Sequence, residues 1–213
     1  MKFFDCFLIG ALLFSACGSQ PKKEQANPPP EPSTPLFDVS LMPEEPLFDM
    51  ETTLGTMRIK LYKETPGHRD NFAKLVSERY YDGIIFHRII KGFMIQAGNL
   101  GQTPTKAQLN YGPSGVDYKI PAEILPAFTH KRGSLAAARD GNPEKASSGA
   151  QFYIVLSDNG ATHLNGSYTI YGEVVDGFEV LDAIAALPVT RNERGEMASP
   201  VKAPEILSIT PAF

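Results

Sequence analysis

Along the middle of the chain, apolar and polar side chains alternate in short runs. Met57, Ile59 and Leu61 interleave with Arg58, Lys60 and Tyr62, the period-two pattern of a strand with one buried face. Thr65-Pro66 then supplies a capping residue and a proline at the first helical position. Phe72, Leu75, Val76 and Tyr80 follow at helical spacing and predict a helix with one apolar stripe. Two further strands are expected over Ile84–Ile90 and Phe93–Ala97, joined by a tight turn at Lys91-Gly92. Leu135–Ala138, Gln151–Leu156, Thr169–Val175 and Glu205–Thr210 read as short strands, and the Gly- and Pro-rich stretch from Leu100 to Pro126 as loops. A second helix is predicted where Asp176 and Glu179 have capping-box-like spacing ahead of Phe178, Leu181, Ile184 and Ala185. Many strands with two separated helices suggest a closed antiparallel barrel, which has no exposed sheet edge, with helices over its ends.

The pattern fails before Leu47. Cys6 to Phe14 is a mostly apolar run of nine residues behind Lys2, too short to span a bilayer and suited to the core of a signal peptide. It ends at Phe14-Ser15-Ala16-Cys17, which resembles a bacterial lipobox, so residues 1–16 are expected to be removed and Cys17 to carry lipid. Acyl chains there would hold the protein at a membrane surface, each buried methylene contributing about 0.8 kcal/mol. From Gly18 to Pro46 the chain is rich in Pro, Glu, Lys and Gln, with Pro28-Pro29-Pro30 at its centre. That composition predicts a disordered or polyproline-II tether over residues 17–46 and a folded domain over 47–213. The protein is thereby expected in a bacterial cell envelope, lipid-anchored and extracytoplasmic.

Composition narrows the chemistry. The 213 residues are 42% hydrophobic and 21% charged, which suits one domain plus tails. A formal charge of −4, without a basic run, gives no electrostatic case for nucleic acid. Both cysteines, Cys6 and Cys17, precede the domain, which therefore has no thiol for a disulfide, a soft metal or nucleophilic attack. The four histidines, His68, His87, His130 and His163, lack metal-ligand spacing, and His87 is expected to be a hydrogen-bonded structural residue. No phosphate-binding glycine loop appears. Asn165-Gly166-Ser167 is expected to be a turn and Arg139-Asp140 a surface ion pair.

The densest chemistry lies in Phe86–Gly98, FHRIIKGFMIQAG. Strand parity puts Arg88, Met94 and Gln96 on one surface, and Phe93 needs a bulge or twist beside the turn to join them. An Arg and a Gln beside Phe and Met make a mostly apolar pocket with two fixed polar groups, the usual design of a small-ligand site. The residues alone equally allow a buried hairpin whose Arg is paired with a carboxylate.

This segment resembles the signature of the cyclophilin family of peptidyl-prolyl cis/trans isomerases. The resemblance continues through Asn71-Phe72, Tyr81-Asp82-Gly83, Gly133–Arg139 (GSLAAAR), Gly149–Ile154 (GAQFYI) and Tyr171–Val174 (YGEV), in family order over roughly Leu47 to Thr210. It implies a closed eight-stranded antiparallel barrel capped by two helices, no cofactor or metal, proline-containing polypeptides as partners and a monomer. It implies Arg88 as donor to the prolyl nitrogen, Gln96 as holder of the substrate backbone, and Phe93, Met94, Tyr153 and Leu164 as walls of the proline pocket. Ala138 and Arg139 match positions that align the peptide, and Gln151, His163 and Tyr168 complete the substrate-binding set. Tyr153 stands where many members have Phe. His163 and Tyr168 stand where the vertebrate cytosolic type has Trp and His, so ligand preference is expected to differ.

The function implied is acceleration of X–Pro isomerisation in folding of extracytoplasmic proteins. A proline-binding or chaperone module with incidental turnover is the alternative, and a hydrolase lacks a nucleophile–base arrangement.

Overall fold

The computed structural model describes residues 35–102 and 115–212. Cys17, the expected signal segment and most of the expected tether lie outside them. Twelve strands and two α-helices follow in the order β1 (Leu47–Thr52), β2 (Gly55–Leu61), α1 (Pro66–Ser77), β3 (Arg88–Ile90), β4 (Met94–Ala97), β5 (Lys119–Ile120), β6 (Ser134–Ala137), β7 (Ser147–Ser148), β8 (Phe152–Val155), β9 (Ile170–Asp176), α2 (Phe178–Ala186), β10 (Val189–Arg191), β11 (Met197–Pro200) and β12 (Ile206–Ala212). Eight of them form one antiparallel sheet in the order β12-β1-β2-β9-β6-β8-β4-β3. β5 pairs with β7, and β10 with β11, as small separate ladders. None of the described helices is long and apolar enough to cross a membrane.

The sheet curls into a half-barrel, and the closed eight-stranded barrel expected from the sequence is corrected here. Its edge strands β3 and β12 share no register. The segment ahead of β3 meets the start of β12 and the residues before it through a single Ile85–Glu205 bridge and the bonds Gly83 N–H to Ile206 O (2.6 Å), Phe86 N–H to Pro204 O (2.9 Å) and Ile206 N–H to Ile84 O (2.8 Å). Pro204 has no N–H to give, so a continuous ladder cannot form across this seam.

Inside the curl lies the main core. Phe48 and Met50 from β1, Met57, Ile59 and Leu61 from β2, Phe72 and Leu75 from α1, Ile95, Leu135, Phe152 and Ile154 from the sheet, and Leu181 and Ile184 from α2 are all buried there. Phe72 sits with its ring centroid 5.1 Å from that of Tyr81 and 6.0 Å from that of Phe152. The apolar stripes read from the sequence are what dock both helices.

Helix entry differs from expectation at both helices. Thr65 makes no side-chain cap on α1. Glu123 caps it instead from a distant loop, accepting the N–H groups of Gly67 and His68 at 2.9 Å each and contacting His68 Nδ1 at 2.5 Å. A carboxylate at a helix N-terminus satisfies orphan donors and meets the positive end of the dipole. Ahead of α2, Gly177 takes a left-handed conformation (φ 82°), and no side chain caps the first turn, so the Asp176–Glu179 capping box does not form.

The packed part of the chain also begins earlier than Leu47. Leu36 N–H bonds Ser77 O at 2.8 Å, and the Phe37 and Phe48 rings lie 6.2 Å apart. Glu45 pairs with Lys60 at 3.0 Å, while Pro46 O accepts Leu61 N–H. Residues 36–46 therefore line the outside of the domain instead of extending the tether. Phe37 adds apolar burial that the polar composition around it conceals.

Candidate active site

The turn at Lys91-Gly92-Phe93 closes β3 onto β4. Gly92 has φ 70°, which glycine adopts without strain, and Phe93 N–H bonds Ile90 O at 3.0 Å. The register that follows sets Arg88 opposite Gln96, Gln96 opposite Tyr153 on β8, and Tyr153 opposite Ala136 on β6. Four residues of one parity thus run in a row across the outer face of the sheet. Met94, Ala136, Tyr153, Val155 and Ile170 form a second apolar cluster on this face, with Phe93, Ala138, Leu164 and Tyr168 packed against it. Phe93 joins them from the turn itself, which resolves its parity conflict.

Above this floor lies an open cleft of about 680 Å³. Arg88, Phe93, Met94, Gln96, Ala138, Arg139, Gln151, Tyr153, His163, Leu164 and Tyr168 all line it. Every pocket residue expected from the sequence is therefore brought to one place. Val116–Lys119, Asp140, Ser148 and Arg194 line it as well and were not foreseen.

The polar groups are tied to one another. Arg88 Nη1 donates to Gln96 Oε1 at 3.2 Å, and Gln96 Nε2 donates to Gln151 Oε1 at 3.1 Å. Arg88 Nε and Nη2 each donate to Glu196 at 3.0 Å, one to each carboxylate oxygen. Arg88 thus lines the cleft, and its carboxylate partner sits at the rim of that cleft instead of inside a buried hairpin. The pair is not buried, the side chains being 25% and 37% exposed.

Tyr153, the departure from Phe, finds the partner that a buried hydroxyl needs. Its hydroxyl lies 2.8 Å from His130 Nε2, and His130 Nδ1 lies 2.8 Å from Asn165 Oδ1. The amide oxygen can only accept, so Nδ1 carries the proton and Nε2 accepts from the tyrosine. Burial lowers the His130 pKa, which keeps this neutral tautomer, and pushes the Tyr153 phenol up. Asn165 is accordingly more than the turn residue expected. It fixes His130 while Gly166 (φ 73°) turns the chain.

Two smaller expectations change, for the Arg139–Asp140 pair and for His87. Arg139 bonds the carbonyls of Ser167 and Asp140 at 2.8 Å each and lies 4.9 Å above the Tyr168 ring, whereas Asp140 pairs with Lys119 at 2.7 Å. The Arg139–Asp140 ion pair is therefore absent. Both backbone groups of Ala138 are already bonded, the N–H to Gln151 O and the carbonyl to Ser148 N–H. His87 Nδ1 is buried with no partner among the described residues, and burial, with a contribution from Arg88, pulls its pKa to about 4. No cluster of three His, Cys, Asp or Glu suited to a metal occurs among the described residues.

The curled sheet, its two helices and the outer-face cleft define a prolyl isomerase fold, and comparison with known proteins assigns it: the chain belongs to the cyclophilin-type peptidyl-prolyl cis-trans isomerase family, whose model matches residues 47–210. It is accordingly a peptidyl-prolyl cis-trans isomerase. A peptidyl-prolyl cis-trans isomerase of Acinetobacter baylyi is 36% identical over 148 residues, covering 68% of this chain and 74% of that protein. An Arabidopsis thaliana peptidyl-prolyl cis-trans isomerase is 41% identical over 135 residues, covering 62% and 78%. The crystal structure of a Cryptosporidium parvum cyclophilin-type isomerase superposes with a TM-score of 0.66 at 29% identity, covering 79% of this chain and 98% of that one.

Proposed function

We propose that the outer-face cleft performs the isomerisation, with Arg88 as donor to the prolyl nitrogen. The observation that carries this is the cross-strand Arg88–Gln96 pair standing over an apolar floor of Met94 and Tyr153. Rotation about an X–Pro bond crosses about 18–20 kcal/mol because amide resonance is lost at the twist. There the nitrogen gains a lone pair and the carbonyl loses dipole, so a donor aimed at the nitrogen favours the twisted state over either planar one.

A guanidinium has five N–H donors; Glu196 takes two and Gln96 one, so two remain, one on Nη1 and one on Nη2. Gln96 keeps one amide N–H beyond its bond to Gln151, enough to hold a substrate carbonyl. Phe93, Met94, Tyr153 and Leu164 grip the proline ring, while Ala138, Arg139, Gln151, His163 and Tyr168 flank the peptide. A solved Cryptosporidium parvum cyclophilin-type isomerase in the presence of the dipeptide Ala-Pro, with a TM-score of 0.65 to this chain, supports a proline-sized occupant. One preorganised donor is worth roughly 3–4 kcal/mol, whereas a millionfold acceleration needs about 8. Desolvation of the carbonyl and clamping of the ring supply the rest.

The chain accelerates cis–trans exchange of a short X–Pro peptide as a monomer, and Arg88→Ala lowers kcat/KM about a hundredfold or more. Turnover by Arg88→Ala within threefold of wild type contradicts the assignment. Its clients are extracytoplasmic proteins reached from a lipid anchor on Cys17, a reading that rests on the Ser15-Ala16-Cys17 cleavage pattern and the proline-rich stretch behind it. Intact-mass analysis of the mature protein decides the anchor: an acylated Cys17 at the N-terminus is expected, and an unmodified one refutes it.

A further inference from the structure

The β10–β11 hairpin takes no part in the curled sheet. It packs against β3, and its turn is closed by its own side chains. Asn192 Oδ1 accepts Glu196 N–H at 3.0 Å, Asn192 N–H donates to Glu196 O at 2.8 Å, and Asn192 Nδ2 donates to Glu196 Oε2 at 3.0 Å. The Glu196 carboxylate is therefore fixed from its own element before it meets Arg88. It takes Nε and Nη2 of the guanidinium in the bidentate geometry that sets orientation as well as distance. Its bonds to Arg88 and Asn192 hold its carboxyl below the usual range, so it is charged at neutral pH.

We propose that Glu196 is a positioning residue for isomerisation: with Gln96 it locks the Arg88 guanidinium so that its two unengaged N–H groups face the cleft before substrate arrives. This rests on the function proposed for Arg88. Gln96 alone touches one nitrogen, and a guanidinium held at one nitrogen rotates about it. Two anchors on separate elements, β4 and the hairpin, remove that freedom. A partly exposed ion pair of this kind contributes little to folding, so its consequence lies in orientation. Asn192 acts one step further back, through Glu196.

The experiment measures kcat and KM for an X–Pro peptide, by exchange NMR, for wild type, Glu196→Ala, Glu196→Gln, Asn192→Ala, Arg88→Ala and the Arg88→Ala/Glu196→Ala double variant. Urea midpoints and the Arg88 Nε–H resonance are recorded alongside. The inference expects Glu196→Ala to lose about tenfold, mainly in kcat, Glu196→Gln and Asn192→Ala to lose a few-fold, and the double variant to be no slower than Arg88→Ala. The Arg88 Nε–H signal, sharp in wild type, broadens in Glu196→Ala. A hairpin needed only for folding would cost the same in both backgrounds, and that result overturns the inference. So does Glu196→Ala turning over within twofold of wild type while Arg88→Ala is slow. An inactive wild type, or Arg88→Ala as fast as wild type, overturns the role of Arg88 itself, and this inference with it.

Discussion

The inner and outer faces of one sheet are built from the same strands and do different work. On β3, β4 and β8 the inward positions are Ile89, Ile95, Phe152 and Ile154, all fully buried. The outward positions of those strands include Arg88, Met94, Gln96 and Tyr153. The inner face is filled by large apolar side chains and by two helices that close over it. The outer face carries a smaller cluster, and the small Ala138 beside it lines the cleft. Because the side-chain period of a strand is two, a one-residue slip would exchange these faces, so stability and site are specified by the same register.

The largest effect that would break this division is on the inner face. Phe152→Ala should cost about 3–5 kcal/mol of folding stability, read as a lower urea midpoint, while turnover per folded molecule stays close to wild type. Its outward neighbour gives the converse: Tyr153→Phe keeps the ring, leaves His130 Nε2 buried without its donor, and should cost only about 1–2 kcal/mol with little change in turnover. Equal stability losses at the two positions would mean that the faces are not separately built.

A pH-dependent effect acts on histidines outside this pair of positions. His68, His87 and His130 all have lowered pKa values, chiefly by burial, His87 to about 4. The unfolded chain therefore binds more protons than the fold between pH about 6.5 and the folded pKa values. Stability rises with pH across that window and falls as pH drops from about 6.5 toward 4, by up to about 1.4 kcal/mol per pH unit for each histidine. Urea midpoints from pH 7 to 4.5 should show this slope, and His87→Gln should flatten it. A midpoint unchanged over that range contradicts the burial argument.

What the sequence disclosed divides along similar lines. Strand parity is a local signal, so Met57–Leu61 and the Arg88–Gln96 hairpin were readable from alternation alone. The walls contributed by Ala138, Gln151, Tyr153, His163 and Leu164 come from separate elements, and it was their family resemblance that joined them to Arg88. β1 carries the same signal: Phe48, Met50 and Thr52 alternate with Asp49 and Glu51, and all three are buried. Other features had no local signal. Glu123 caps a helix 55 positions away in sequence, and only the fold brings them together. β10 and β11 are short and mostly polar or half-exposed, so neither period marks them. Glu196 looked like any surface carboxylate until the hairpin carried it to Arg88.

Arg88 and Ile89 are adjacent on β3 and point to opposite faces, so measuring both activity and stability for Arg88→Ala and Ile89→Ala tests the account most directly. The account predicts that Arg88→Ala loses about a hundredfold or more in kcat/KM with its urea midpoint nearly unchanged. Ile89→Ala should lose about 2–5 kcal/mol of stability with turnover per folded molecule retained. An active Arg88→Ala, or an Arg88→Ala that unfolds while Ile89→Ala does not, would contradict it.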